Sequence, residues 1–233
     1  AGQGFYDYLK VPASQTDTEF TDTITGVRSA DQKYVNTGVL KDDGQHYKFT
    51  KDTTITAANT INIGDVDHTV DINAKDHTLT LISATDSKKT VSALAANSMK
   101  DVTITADKLI IRASDNGRIE GISVGGQGQQ NADNPNKLTI NGDVDMLVHG
   151  KGYSLGLYAA GNSDITFNGN ITALGDKDNA WGLTSKYGAY GYYGVSLVYS
   201  GSNYTLQMGP KVTINGEVNA KIDGNCLFAN GGH

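Results

Sequence analysis

The 233-residue chain carries a formal net charge of -6 and a pI near 5.2, with 28 Gly, three Pro and one Cys. Phosphate recognition needs a concentrated basic face, so this balance argues against a nucleic-acid partner, and only Arg28, Arg112 and Arg118 supply guanidinium groups. The single cysteine, Cys226, excludes an internal disulfide and a thiolate metal site. Its place between Asn225 and Leu227 reads as a small buried hydrophobe rather than a reactive thiol.

Residues 1–44 read as a polar lead-in that caps the first coil of a strand stack, because an uncapped stack exposes unpaired edges. No stretch approaches the roughly 18 apolar residues of a membrane span and no signal peptide is visible, while a start at Ala1 suits a mature secreted chain. From residue 45 onward a short pattern returns. It is weak in TVDINA (69–74) and DVTITAD (101–107), and clear in LTINGDV (138–144), ITFNGNI (165–171) and VTINGEV (212–218). Each copy is followed by a second strand-like piece, such as DMLVHG (145–150), TALG (172–175) or NAKIDG (219–224). A third piece comes next: SALAANS (92–98), GISVGG (121–126), GLYAAG (156–161), GVSLVYSG (194–201) and NCLFANGG (225–232). Three strands per repeat with small residues at the corners describe an all-β parallel solenoid, since one repeat alone cannot bury its apolar side. The first strands begin at Val70, Val102, Leu138, Ile165 and Val212, so spacings of 32, 36, 27 and 47 residues place the excess in outward loops.

Side-chain alternation along a strand assigns the faces. Val70, Val102, Leu138, Ile165 and Val212 form one inward column, and Ile72, Ile104, Ile140, Phe167 and Ile214 the next. Asp71, Thr103, Thr139, Thr166 and Thr213 face solvent. Asn73, Asn141, Asn168 and Asn215 recur where the strand turns, where Asn tolerates left-handed geometry and stacked copies can pair amide groups. Twenty-four Thr and 19 Asn suit such ladders. The chain stops at Gly232-His233 directly after a third strand, with no cap in sight, which reads as the beginning of a longer solenoid.

The longest spacing contains GDKDNAWGLTSKYGAYGYYG (175–194), read as a loop inserted between coils. It holds the only Trp, Trp181, with Tyr187, Tyr190, Tyr192 and Tyr193. Exposed Trp and Tyr offer broad amphipathic contact area at small entropic cost, so these five are the candidate ligand-binding residues. The bland alternative is that the rings lie on the solenoid and cover an apolar flank.

Acidic pairs recur at Asp65/Asp67, Asp143/Asp145 and Asp176/Asp178. Two apart on a strand they share a face and could hold Ca²⁺ or act on a sugar, but turn positions favour Asp anyway. His46, His68, His77 and His149 show no metal-ligand spacing and no partnered nucleophile, so neither a catalytic residue nor a metal nor a cofactor is assigned.

The NG-cornered repeats, the Thr, Asn and Gly richness, the near absence of cysteine and the acidic charge resemble the passenger domain of a Gram-negative autotransporter, over about residues 50–233. That resemblance implies a right-handed parallel β-helix, secreted by the type V route, surface-exposed and tethered in the full protein to an outer-membrane barrel that lies outside these residues. It also implies a non-catalytic adhesin in aggregation, biofilm formation or host attachment, binding a glycan, a matrix protein or itself. The family supplies no residue-level site. The alternative is a carbohydrate-active β-helix enzyme, a lyase or glycoside hydrolase. The polygalacturonase set of Asn-Thr-Asp, Asp-Asp and Gly-His-Gly is absent, and HGKG (149–152) is its faint echo.

Overall fold

In the computed structural model the described residues are 18–26, 35–64, 69–97, 101–125, 135–174, 188–195, 197–200, 205–221 and 225–230. Every described element is a strand, and the strands build two large sheets dominated by parallel pairs. The larger sheet runs β1 (Thr18–Phe20), β5 (Thr53–Thr56), β7 (Val70–Ala84), β9 (Asp101–Asp115), β11 (Asn136–Gly150), β13 (Ser163–Asn168), β18 (Lys211–Ile214). The smaller runs β2 (Ile24–Thr25), β6 (Ile61–Ile63), β8 (Thr90–Ala96), β10 (Arg118–Val124), β12 (Tyr153–Ala160), β15 (Gly188–Val195), β20 (Asn225–Asn230). The chain crosses from one sheet to the other and back, and each returning strand pairs parallel with its predecessor. The two strands β14 (Ile171–Leu174) and β19 (Val218–Lys221) continue the larger sheet beside the second half of β11.

The expected register is observed. Val70 pairs with Val102, Val102 with Leu138, Leu138 with Ile165, and Ile165 with Val212; the Ile72, Ile104, Ile140, Phe167, Ile214 column runs beside it. All are buried up to Phe167, while Ile214 in the last strand is 36% exposed. A second interior column runs down the smaller sheet through Ile24, Ile61, Leu94, Ile122, Leu157 and Tyr192, with Leu227 at the next register position. The physical reason for the stack is that each strand presents alternate apolar residues to an interior that only the next strand can complete.

The corner between the halves of β11 explains the Asn-Gly pair. Gly142 has φ +127°, and a Cβ there would land on the carbonyl oxygen of Ala106 in β9, so glycine is required both by conformation and by space. One residue earlier, Asn168 Nδ2 donates to Asn141 Oδ1 at 2.9 Å and Asn215 Nδ2 donates to Asn168 Oδ1 at 2.9 Å. Asn73 leaves this ladder: its Oδ1 accepts from its own turn, the N–H of Lys75, and its neighbour in β9 is Thr105. Asn168→Ala breaks two links at once, so it should lower stability by about 1 kcal/mol, read as a fall in the urea midpoint at unchanged slope.

Two boundaries differ from the sequence expectation. Parallel pairing starts at β1 and β2, inside the segment expected to be a cap, and residues 1–17 lie outside the described residues. Next come β3 (Leu40–Asp42) and β4 (His46–Phe49), an antiparallel hairpin that straddles the expected boundary at 45 and whose second strand lies parallel to β7. The expected loop at 175–194 contains a strand: its last seven residues belong to β15, which pairs with β12 and β20. Consequently GVSLVYSG (194–201) is not the third strand of its repeat. Its residues 197–200 form β16 (Leu197–Ser200), which turns back antiparallel onto β17 (Thr205–Met208) as a separate two-stranded sheet.

Candidate binding face

In the smaller sheet Ile122, Leu157 and Tyr192 share an interior column, so the next position along the first two strands, Ser123 and Tyr158, lies in an outward one, and Tyr193 holds the register position beside Tyr158. Arg118, at the start of β10, lays its guanidinium over the Tyr158 ring, 4.5 Å from the centroid, and lies 5.9 Å from that of Tyr153. Its Nη2 is 3.1 Å from Glu120 Oε1, and Ser92 Oγ in β8 donates to Glu120 Oε2 at 3.1 Å. Glu120 is 3% exposed although it belongs to no interior column. A carboxylate that deeply covered is tolerated because a charge-assisted pair and a hydroxyl satisfy it. The planar guanidinium can pair with Glu120 and stack on tyrosine at once, which an ammonium cannot do equally well.

The five residues expected to bind separate into three groups. Trp181 and Tyr187 lie outside the described residues. Tyr190 and Tyr193 stand in β15 at the register positions of Leu155 and Tyr158, which puts them in line with the Arg118 cluster. Tyr192 stands in register with Leu157 and packs half-buried against the core, and its buried hydroxyl has no hydrogen-bond partner among the described residues. Strand alternation decides this, because neighbours in a strand cannot both face out. The residues that sequence reasoning passed over are Arg118, Glu120, Tyr153 and Tyr158. A signal was available, since YSLGLYAA (153–160) and GAYGYYGV (188–195) align as Tyr158 over Tyr193.

The acids and histidines are otherwise engaged. Asp145 holds Arg112 through two contacts, at 3.2 Å and 3.4 Å, and Asp143 Oδ1 accepts from the backbone N–H of Asn170 at 2.9 Å. Asp65, Asp67, His68, Asp176 and Asp178 lie outside the described residues. Burial, with Lys151 nearby, pushes His149 down to about 4. The backbone N–H groups of His46 and Gln45 hold Asp43 at about 2. His77 Nδ1 sits 3.6 Å from Asp52. Among the described residues, no group of three or more His, Cys, Asp or Glu could hold a metal ion, and no helix is long and apolar enough to cross a membrane.

No family model, curated protein or solved structure matches this chain. The chemistry of its faces is therefore the ground for a functional reading. The Arg118 face offers two tyrosines, a guanidinium and a shielded carboxylate on a rigid sheet. Those groups suit contact with sugar or protein surfaces, where an aromatic body and a polar tip are used together.

Proposed function

We propose that this chain is a surface-displayed adhesin module, a right-handed parallel β-helix with three strands per rung, of the kind found in autotransporter passengers. It binds a glycan or a matrix protein through the outer face of its smaller sheet, in host attachment, cell aggregation or biofilm formation. In the full protein a separate translocator domain would hold it at the outer membrane. The observation that carries the reading is the stacking of Arg118 on Tyr158 beside Tyr153, in line with the strand that bears Tyr190 and Tyr193. Aromatic and arginine residues of this sort dominate binding hot spots. Weak single contacts suffice for such a module, because display of many copies on a cell raises avidity by about 10² to 10⁴.

The test is a cell-displayed variant in which Tyr153, Tyr158, Tyr190 and Tyr193 are changed to Ser together. Glycan and matrix-protein arrays are read beside a cell-attachment assay. Hot-spot truncations cost about 2 kcal/mol or more each, so attachment should fall by well over tenfold while the circular dichroism spectrum is retained. Attachment that is unchanged in a folded variant would sink this reading.

A further inference from the structure

The larger sheet carries a different outward face along the first halves of β9, β11, β13 and β18. Its three outward columns are Asp101, Lys137, Asp164, Lys211; Thr103, Thr139, Thr166, Thr213; and Thr105, Asn141, Asn168, Asn215. The face is open: Asp101, Lys137, Lys211, Asn168 and Asn215 are exposed and the rest half-buried. It contrasts with the outward side of the second halves of β9 and β11, where Ile110 and Leu147 are 2% and 1% exposed. The first column alternates strictly in sign, minus, plus, minus, plus, and its members take no part in the salt bridges among the described residues. Strands spaced by about 4.8 Å spread it over about 14 Å.

We propose that this face docks a second copy of the same chain, with its strand stack reversed about a two-fold axis parallel to the strands and lying between β11 and β13. That operation sets each column against itself in reverse order. Asp101 meets the second copy's Lys211, and Lys137 meets its Asp164, so four opposite-charge pairs form from two. The threonine column opposes itself, and the amide column sets Asn141 against Asn168, where hydroxyls and amides pair directly or through water. The same axis moved onto β11 sets Asp101 on Asp164 and Lys137 on Lys137, which is repulsive at each of these positions. A two-fold axis along the stack would oppose the charged column to the amide column and leave the charges unmatched. Other charges nearby are Asp71, His46 and Lys48 above the face and Asp107, Lys108, Asp143 and Glu217 along its corner. Asp71, His46 and Lys48 belong to β4 and β7, outside the four-strand block, and Asp107, Lys108, Asp143 and Glu217 lie beyond its amide column, on the far side from the charged one. The face is small beside the roughly 800 Å² per partner of a stable dimer, so the contact is weak in solution and gains strength through display.

The experiment is sedimentation equilibrium of the 233-residue chain up to millimolar concentration, with two variants and a control. Asp101→Lys with Asp164→Lys makes the column wholly positive, and Lys137→Asp with Lys211→Asp makes it wholly negative. Lys51→Asp with Lys89→Asp, on exposed residues elsewhere, matches the second variant in net charge. The unaltered chain should dimerise at low salt and lose affinity as salt shortens the screening length from about 10 Å to about 3 Å. Each column variant alone should associate at least about tenfold more weakly, an equimolar mixture of the two should regain dimer, and the control should dimerise normally. A chain that stays monomeric throughout, a mixture that fails to recover, or a control weakened as much as the column variants would each overturn the proposal. Because Tyr153 and Tyr158 lie on the other sheet, their replacement should leave this dimer intact, which separates the outcome from that of the adhesin reading.

Discussion

Ile140→Asp and Phe167→Asp should each abolish the cooperative thermal transition, whereas Thr139→Asp should leave it nearly in place. Ile140 stands between Ile104 and Phe167 in an interior column and is 1% exposed, as is Phe167. A carboxylate there meets only aliphatic and aromatic neighbours, and an uncompensated charge in such a site costs several kcal/mol. Domain stabilities are themselves about 5 to 15 kcal/mol, and the cavity left by the missing side chain adds to the loss. Thr139 is the adjacent residue with the opposite orientation, stacked between Thr103 and Thr166 on the outward face. An aspartate there remains hydrated, so the change should stay within about 1 kcal/mol. Far-UV circular dichroism melts of the three variants decide it. Equal losses at 139 and 140 would mean that the assigned faces are wrong.

Acidification should destabilise the chain well above the carboxylate range, through His149. This residue sits near the end of β11 at 3% exposure, and burial first, then Lys151, pushes it from the ordinary 6.5 down to about 4. In the unfolded chain it binds a proton near 6.5, so between pH 6.5 and 4 the unfolded state holds more protons than the folded one. Stability is therefore complete above about pH 6.5 and is lost as pH falls, on the order of 3 kcal/mol by about pH 4. Asp115 adds a loss in the same direction at lower pH. Burial raises it, but donors on Gly117, Ser87 and Thr85 outweigh burial and leave it lowered, so its contribution fades as the carboxylate is protonated. Urea midpoints measured from about pH 7.5 to about 4 should fall steeply in the native chain. In His149→Gln the slope over the acid half of that range should largely vanish, whatever that substitution costs at neutral pH. An unaltered slope would show that another group titrates there.

Period-two alternation carried most of the fold. The columns through Val102, Leu138 and Ile165 and through Ile104, Ile140 and Phe167 were legible because every strand must send alternate side chains to one interior, and the repeats recur in phase. The Asn141, Asn168, Asn215 ladder was legible for the same reason, since identical residues in register stack on themselves. Pattern failed where it met composition. The Tyr and Gly run at 188–195 looks like a loop because glycine usually interrupts strands, and only its parallel pairing with β12 and β20 makes it part of the sheet. That pairing turns Tyr192 inward and leaves Tyr190 and Tyr193 at the register positions of Leu155 and Tyr158. The Arg118, Glu120 and Ser92 contacts join three residues from two strands, and nothing local in sequence announces a contact that depends on the lateral neighbour. The alternating charges of Asp101, Lys137, Asp164 and Lys211 are likewise scattered over roughly a hundred residues of chain. Sequence determined which side chains face inward, because alternation is a local property of the backbone. Tertiary structure decided which outward side chains become neighbours, because that depends on the register between strands, a property no single strand contains.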